Sequence, residues 1–266
     1  MSQTKRRPAW GRILPALVIL IVLCAGVSRA VSIFRAYQTG TEVEAPDTAE
    51  YPVRGVDVSR YQGNIDWDVL AAQEVDFAFI KATEGSSHQD PCFSVNWQQA
   101  QQSSIYVGAY HFFSFESSGE TQAQNFIETV GMSEGTLPPV VDLEFYGSYT
   151  DEPLSKSETH SILDALLDAL EDYYGVKPII YTTPRAYYSY ILGGHYGDYP
   201  LWIREVHTKP FVRWRFWQYS DQGKLEGYDG LQDDQTEMCI DLNVYCGSMK
   251  EFLTEFDLPE REESAS

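Results

Sequence analysis

The chain has 266 residues, of which 43% are hydrophobic and 14% aromatic, and a formal net charge of −20. That much apolar and aromatic content excludes a disordered polymer, and the acidity excludes nucleic acid as a partner because phosphates would be repelled. The length admits one α/β barrel or two smaller domains.

The first element is apolar. Lys5, Arg6, Arg7 and Arg12 make residues 1–12 a basic segment ahead of ILPALVILIVLCAGVS, which runs without charge from Ile13 to Ser28 and ends at Arg29. As a helix that stretch extends about 24 Å, short of the roughly 30 Å hydrocarbon layer, with Arg12 and Arg29 placed to snorkel from its ends. Residues 13–35 therefore read as an uncleaved transmembrane anchor. The alternative is a cleaved signal peptide, but its one small-x-small site, Ser28-Arg29-Ala30, carries a charge. Leu23 before Cys24 is too large for a lipoprotein signal. In either form the basic flank is cytoplasmic and the remainder is expected outside, membrane-held or secreted.

Residues 36–50 lack apolar periodicity and are rich in Thr and Glu, so they read as a solvated linker. The folded domain is expected over 51–256, with an acidic tail at 257–266. Beyond residue 50 there are 13 basic side chains against 35 acidic ones, the mark of a solvated acidic exterior. Cys92, Cys239 and Cys246 in that part allow at most one disulfide. No CxxC or Cys/His spacing suggests a metal site, His88, His160, His195 and His207 show no ligand spacing, and no Gly-rich phosphate loop occurs. No cofactor and no metal is expected.

The domain alternates short β-rich runs with helical ones. VRGVDVS (53–59) predicts a strand, and DWDVLAAQEV (66–75) a helix with Asp66 as N-cap. DFAFIKATEG, IYVGAYHFFSF and PPVVDLEF predict strands two to four, separated by helices through CFSVNWQQAQQS and SGETQAQNFIETVG, the latter stopped by Gly131. KSETHSILDALLDALEDYYG sets Ile162, Leu163, Leu166, Leu167 and Leu170 on one helix face and stops at Gly175. KPIIYT is the fifth strand. YPLWIREV, RWRFWQYS and CIDLNVY are strand-like, with little room for long helices between them. Five βα units plus three strands close a sheet of eight, so the expected fold is an irregular α/β barrel forming a single domain.

Side chains alternate along a strand, so Asp142 and Glu144 share one face of PPVVDLEF. In a barrel, functional groups gather where strand ends and loops surround one opening. Asp57, Lys81, Tyr110 and the pair Asp142/Glu144 are expected there, with Asp241 and Asn243 ending the last strand beside the first. Clustered carboxylates in a partly dry cleft raise at least one pKa and create a proton donor at neutral pH, the equipment for glycosidic cleavage. Same-face Cβ atoms about 6–7 Å apart leave retaining and inverting geometries both open. His111 falls on the strand face opposite Tyr110 and reads as structural. Among the tryptophans, Trp202 is the candidate sugar platform.

RGVDVSRYQGNIDW, FAFIKATEG, VGAYHFF, PPVVDLEF, PIIYT, PLWIREV, FWQYSD and IDLNVY occur in the order that resembles family 25 glycoside hydrolases, the Chalaropsis-type lysozymes (N-acetylmuramidases), over residues 53–247. The resemblance implies hydrolysis of the β-1,4 bond between N-acetylmuramic acid and N-acetylglucosamine in peptidoglycan glycan strands. It implies Glu144 as general acid. Asp142 becomes the second carboxylate, which either stabilises the oxocarbenium-like state or orients the substrate's own acetamido group. Asp57 and Asp241 support the pair, and Lys81, Tyr110, Trp202 and Gln218 contact sugar. Arg204 and Glu205 stand where relatives often have small residues. Two other readings stay open: a catalytically silent glycan-binding module, and a hydrolase of another N-acetylglucosamine polymer.

Overall fold

The computed structural model describes residues 10–232, 235–236 and 238–261; the start of the basic segment and the end of the acidic tail lie outside them. The chain divides into two compact units, residues 1–42 and 43–266. In the first, helix α1 spans Trp10–Thr39, four residues past the expected end of the apolar segment, with Pro15 inside it. Its Val18–Thr39 portion contains an 18-residue window of mean hydropathy 2.0 and is long and apolar enough to cross a membrane, as a signal sequence also is.

The second unit is a closed barrel of eight strands: β1 (Arg54–Val58), β2 (Phe77–Glu84), β3 (Tyr106–Phe112), β4 (Val140–Leu143), β5 (Ile179–Thr182), β6 (Leu201–Arg204), β7 (Phe216–Gly223) and β8 (Ile240–Tyr245). Strands β1 to β7 run parallel, each paired with the next. Strand β8 closes the barrel between β7 and β1, antiparallel to both.

Alternation along the strands sorts two cores. Phe77, Phe79, Val140, Ile179, Trp202, Phe216 and Tyr245 form the cluster inside the barrel, where Phe79 stacks on Trp202 with ring centroids 4.5 Å apart. Their neighbours Ala78, Ile80, Val141, Leu143 and Ile180 join the outer cluster under the helices. Each fully buried aromatic contributes roughly 1.5–3 kcal/mol. The inner rings need room: a Cβ on Gly55 would stand 2.5 Å from the Phe77 ring, and one on Gly108 2.8 Å from Phe79.

The helices begin where their caps do. Asp66 accepts from Val69 N at the start of α2 (Trp67–Ala71), Ser118 from Thr121 N at α4 (Gly119–Val130), and Ser155 forms a capping box with Glu158 at α5 (Lys156–Tyr174). Helix α3 (Phe93–Ala100) follows β2. Gly175 ends α5 in the left-handed region, at φ 72°. Between β5 and β6 only short helical turns occur, over residues 184–191 and 196–198.

Two expected boundaries move. The folded unit begins before Tyr51, because Val43 N donates to Val206 O at 2.7 Å and Val43 packs in a cluster with Tyr51 and Trp214. It also extends beyond residue 256. After α6 (Met249–Glu255), whose Phe252 is fully buried, Leu258 is 7% exposed and Arg261 Nη1 donates to Ser103 O at 2.9 Å. Hydrophobic burial and backbone carbonyls hold residues 257–261 against the barrel. None of the four cysteines is in a disulfide.

Candidate active site

The parallel strands β1, β2 and β4 carry Asp57, Lys81 and Asp142 toward their C-terminal ends, and Glu144 follows β4 directly. Asp241 arrives differently. It stands near the start of β8, not at its end as expected from sequence, and reaches the same mouth because β8 runs the other way; its register partner on β1 is Asp57. A cleft of about 390 Å³ is lined by Asp57, Asp142, Glu144 and Asp241 together with Lys81, Tyr110 and Trp202.

Burial governs the charges. Asp57 is 8% and Asp142 7% exposed. Desolvation raises the pKa of Asp142 well above the carboxylate range, and the charge of Glu144 adds to it. Glu144 is raised for the same first reason, with Arg204 and Lys81 pulling down and Asp57 pushing up. Asp241 is pushed up to about 9, first by burial and then by the charge of Asp57, with which it shares a hydrogen bond. Like charges this close cannot all ionise, so the cleft holds protons at neutral pH.

The four carboxylates have different surroundings. Asp57 Oδ2 accepts from Gln218 Nε2 at 2.8 Å and from Asn243 Nδ2 at 2.7 Å. Asp142 Oδ1 is buried and makes no hydrogen bond among the described residues. Lys81 lines the cleft but its ammonium is held by Glu84 Oε2 at 2.8 Å and lies 4.8 Å from the Phe112 ring centroid. Arg204 pairs with Asp221 on the cleft wall.

Two expected sugar contacts are almost wholly buried. Gln218 is 1% exposed and both ends of its amide are engaged, with Asp57 and with the Tyr181 hydroxyl. Trp202 is 2% exposed, its ring against Phe79 and its Nε1 donating to Asn243 Oδ1 at 2.8 Å. Gln218 does not line the cleft, whereas Trp202 does, with a ring otherwise covered by Phe79 and Tyr181. The open aromatic ring at this cleft is Tyr61, 49% exposed. Sequence reading did not single out Tyr61, Phe112, Tyr181 or Asp221. Tyr181 had a signal: it alternates with Ile179 onto the inner strand face. His111, by contrast, is fully buried and structural. Its Nε2 donates to Gln122 Oε1, which also accepts from Ser114 N, so its Nδ1 accepts from the Thr83 hydroxyl. Burial lowers its pKa to about 4.

The model of glycosyl hydrolases family 25 matches residues 56–228. The chain belongs to this family. The solved family 25 glycosyl hydrolase from Bacillus anthracis superposes with a TM-score of 0.73 at 45% identity, covering 80% of this chain and 96% of that one. The YegX protein of Escherichia coli is 37% identical over 212 residues, 76% of this chain and 73% of its own. Lysozyme M1 of Streptomyces globisporus is 33% identical over 201 residues, 68% of this chain and 66% of its own. This family 25 chain is therefore a glycoside hydrolase built on the family's eight-stranded barrel. The matched region takes in Asp57, Asp142 and Glu144 and stops before Asp241.

Proposed function

We propose that this family 25 hydrolase cleaves the β-1,4 bond between N-acetylmuramic acid and N-acetylglucosamine in peptidoglycan, with Glu144 as general acid. The observation that carries the reading is the unequal treatment of two neighbouring carboxyls. Glu144 sits half-buried at the cleft, and burial raises its pKa, the direction a proton donor to the leaving oxygen needs. Asp142 lies deeper, with Oδ1 free of hydrogen bonds among the described residues.

An acceptor left open in a buried carboxyl is matched by a substrate N–H. Of the two roles for Asp142, this favours orienting the acetamido group: the N–H donates to Asp142 and the acetamido oxygen is turned toward the anomeric carbon, where it serves as internal nucleophile. Protonation of the leaving oxygen by Glu144 then breaks the C–O bond, and water activated by the resulting Glu144 carboxylate opens the cyclic intermediate. Both sugars of the repeat carry an acetamido group, so the sugar at the cut is decided by what else fits. The exposed Tyr61 ring is suited to an apolar sugar face, and the charges of Lys81 and Arg204 act on Glu144.

The names of relatives support the polymer: Lysozyme M1 and the Chalaropsis N,O-diacetylmuramidase, the latter 34% identical over 143 residues. The catalytic unit acts outside the cytoplasm in this reading, with α1 as its anchor or export signal. The test is digestion of purified peptidoglycan, borohydride reduction of the products and mass spectrometry. Reduced muramic acid at the new ends is expected; reduced glucosamine alone, or turnover of chitin oligomers in preference, would reject the assignment.

A further inference from the structure

Donor-only chemistry orients the groups around Asp57. An indole N–H cannot accept, so the partner of Trp202 Nε1 must be the oxygen of the Asn243 amide. Its nitrogen then faces Asp57 Oδ2, at 2.7 Å. A second relay has the same sense: the Tyr181 hydroxyl donates to Gln218 Oε1 at 3.0 Å, which turns Gln218 Nε2 to the same carboxylate oxygen at 2.8 Å. Trp202, Gln218 and Asn243 are each no more than 2% exposed, so water does not compete for these bonds. Two N–H groups converging on one oxygen favour its charged form. Asp241, opposite Asp57 in the β1–β8 ladder and hydrogen-bonded to it, is left to carry the proton.

We infer that Tyr181 and Trp202 are positioning residues that choose which member of the Asp57–Asp241 pair is ionised, and thereby fix a negative charge where it faces Glu144. This rests on the reading of Glu144 as the acid. The charged groups facing Glu144 are Asp57 on β1, Lys81 on β2, Asp142 on β4 and Arg204 on β6; Arg204 and, on β7, Asp221 face the pair. Lys81 and Arg204 pull the proton off Glu144, and the charge of Asp57 opposes them. If either amide turned over, its oxygen would face Asp57, the proton would move onto Asp57, and the charge would retreat to Asp241.

The experiment is the pH dependence of kcat/KM on peptidoglycan, whose alkaline limb follows Glu144. Asp57→Asn is expected to move that limb to lower pH by about one unit, the effect of a unit charge at this range, whereas Asp241→Asn supplies an N–H in place of the proton and leaves the limb in position. Tyr181→Phe and Trp202→Phe are expected to move it in the same direction as Asp57→Asn, by less. Lowered kcat with an unmoved limb in both Tyr181→Phe and Trp202→Phe would make them structural and overturn the inference. Tyr181→Phe removes one oxygen and serves if Trp202→Phe fails to fold. Carboxyl 13C NMR of aspartate-labelled Glu144→Gln protein separates the two readings, since it does not depend on turnover. A protonated Asp241 beside an ionised Asp57 supports the pair even if Glu144 proves not to be the acid; the reverse arrangement, or both ionised, refutes it.

Discussion

Asp57 and Asp241 are register partners on antiparallel neighbouring strands, so two acids stand directly opposite one another inside the barrel wall. Like charges so placed destabilise a sheet, and burial adds to the penalty. The arrangement holds because the pair carries a proton and two amides serve its ionised oxygen.

Glu144→Gln should lower turnover of peptidoglycan by about 10²–10⁴, the range of a lost general acid, with the thermal transition preserved or raised because a buried ionisable group is removed. Steady-state assay beside calorimetry measures both. Wild-type turnover in a folded Glu144→Gln protein would remove Glu144 from the role of acid.

Arg204 acts on the same proton from the opposite side. Its guanidinium pulls the pKa of Glu144 down and binds Asp221. Arg204→Met should therefore move the alkaline limb of kcat/KM to higher pH, contrary in sign to Asp57→Asn. A shift to lower pH, or none, would mean that the Arg204 charge is screened from the cleft.

Stability should fall with alkalinity. Asp241 binds its proton more tightly folded, at about 9, than unfolded, near 3.9. Its stabilisation is thus complete below about pH 4 and is lost as pH rises toward 9, with a slope of at most about 1.4 kcal/mol per pH unit. His111 has the opposite sign: its pKa is about 4 when folded, so it costs stability as pH falls below about 6.5. Denaturant melts between pH 7 and 9 isolate the carboxylate slope. The wild type should lose stability there and Asp241→Asn should lose less; parallel profiles would contradict the raised Asp241.

Gly119 tests the shell outside the site. A Cβ at this position would lie 2.1 Å from Ile162 O and 2.5 Å from Leu166 N, both backbone atoms of α5. Gly119→Ala should cost about 1–3 kcal/mol as α4 and α5 are forced apart, read as a lowered melting temperature. An unchanged transition would mean that the two helices separate without penalty.

Most elements were legible because short-range signals specify them. Asp66 marks a helix start, Gly131 and Gly175 mark ends, and alternation placed Asp142 with Glu144 and set His111 on the far face of its strand. Strand direction was not legible: CIDLNVY reads the same whether parallel or antiparallel, so Asp241 was assigned to the wrong end of its strand while still reaching the right cleft. Depth was hidden too. Trp202 and Gln218 point inward as their spacing says, but residue type does not reveal that Phe79 and Tyr181 cover them. Lys81 is expected at the opening and lines the cleft, but its pairing with Glu84, three residues along the same strand, was not read from the sequence.

The reversed strand β8 also sets a timetable. Synthesis delivers Asp57 first and Asp241 last, and β1 has no neighbour on one edge until β8 docks. A growing chain that has released Asp142 and Glu144 still lacks the wall that shields them from water. The cleft becomes dry, and its acid becomes competent, only when the final strand arrives.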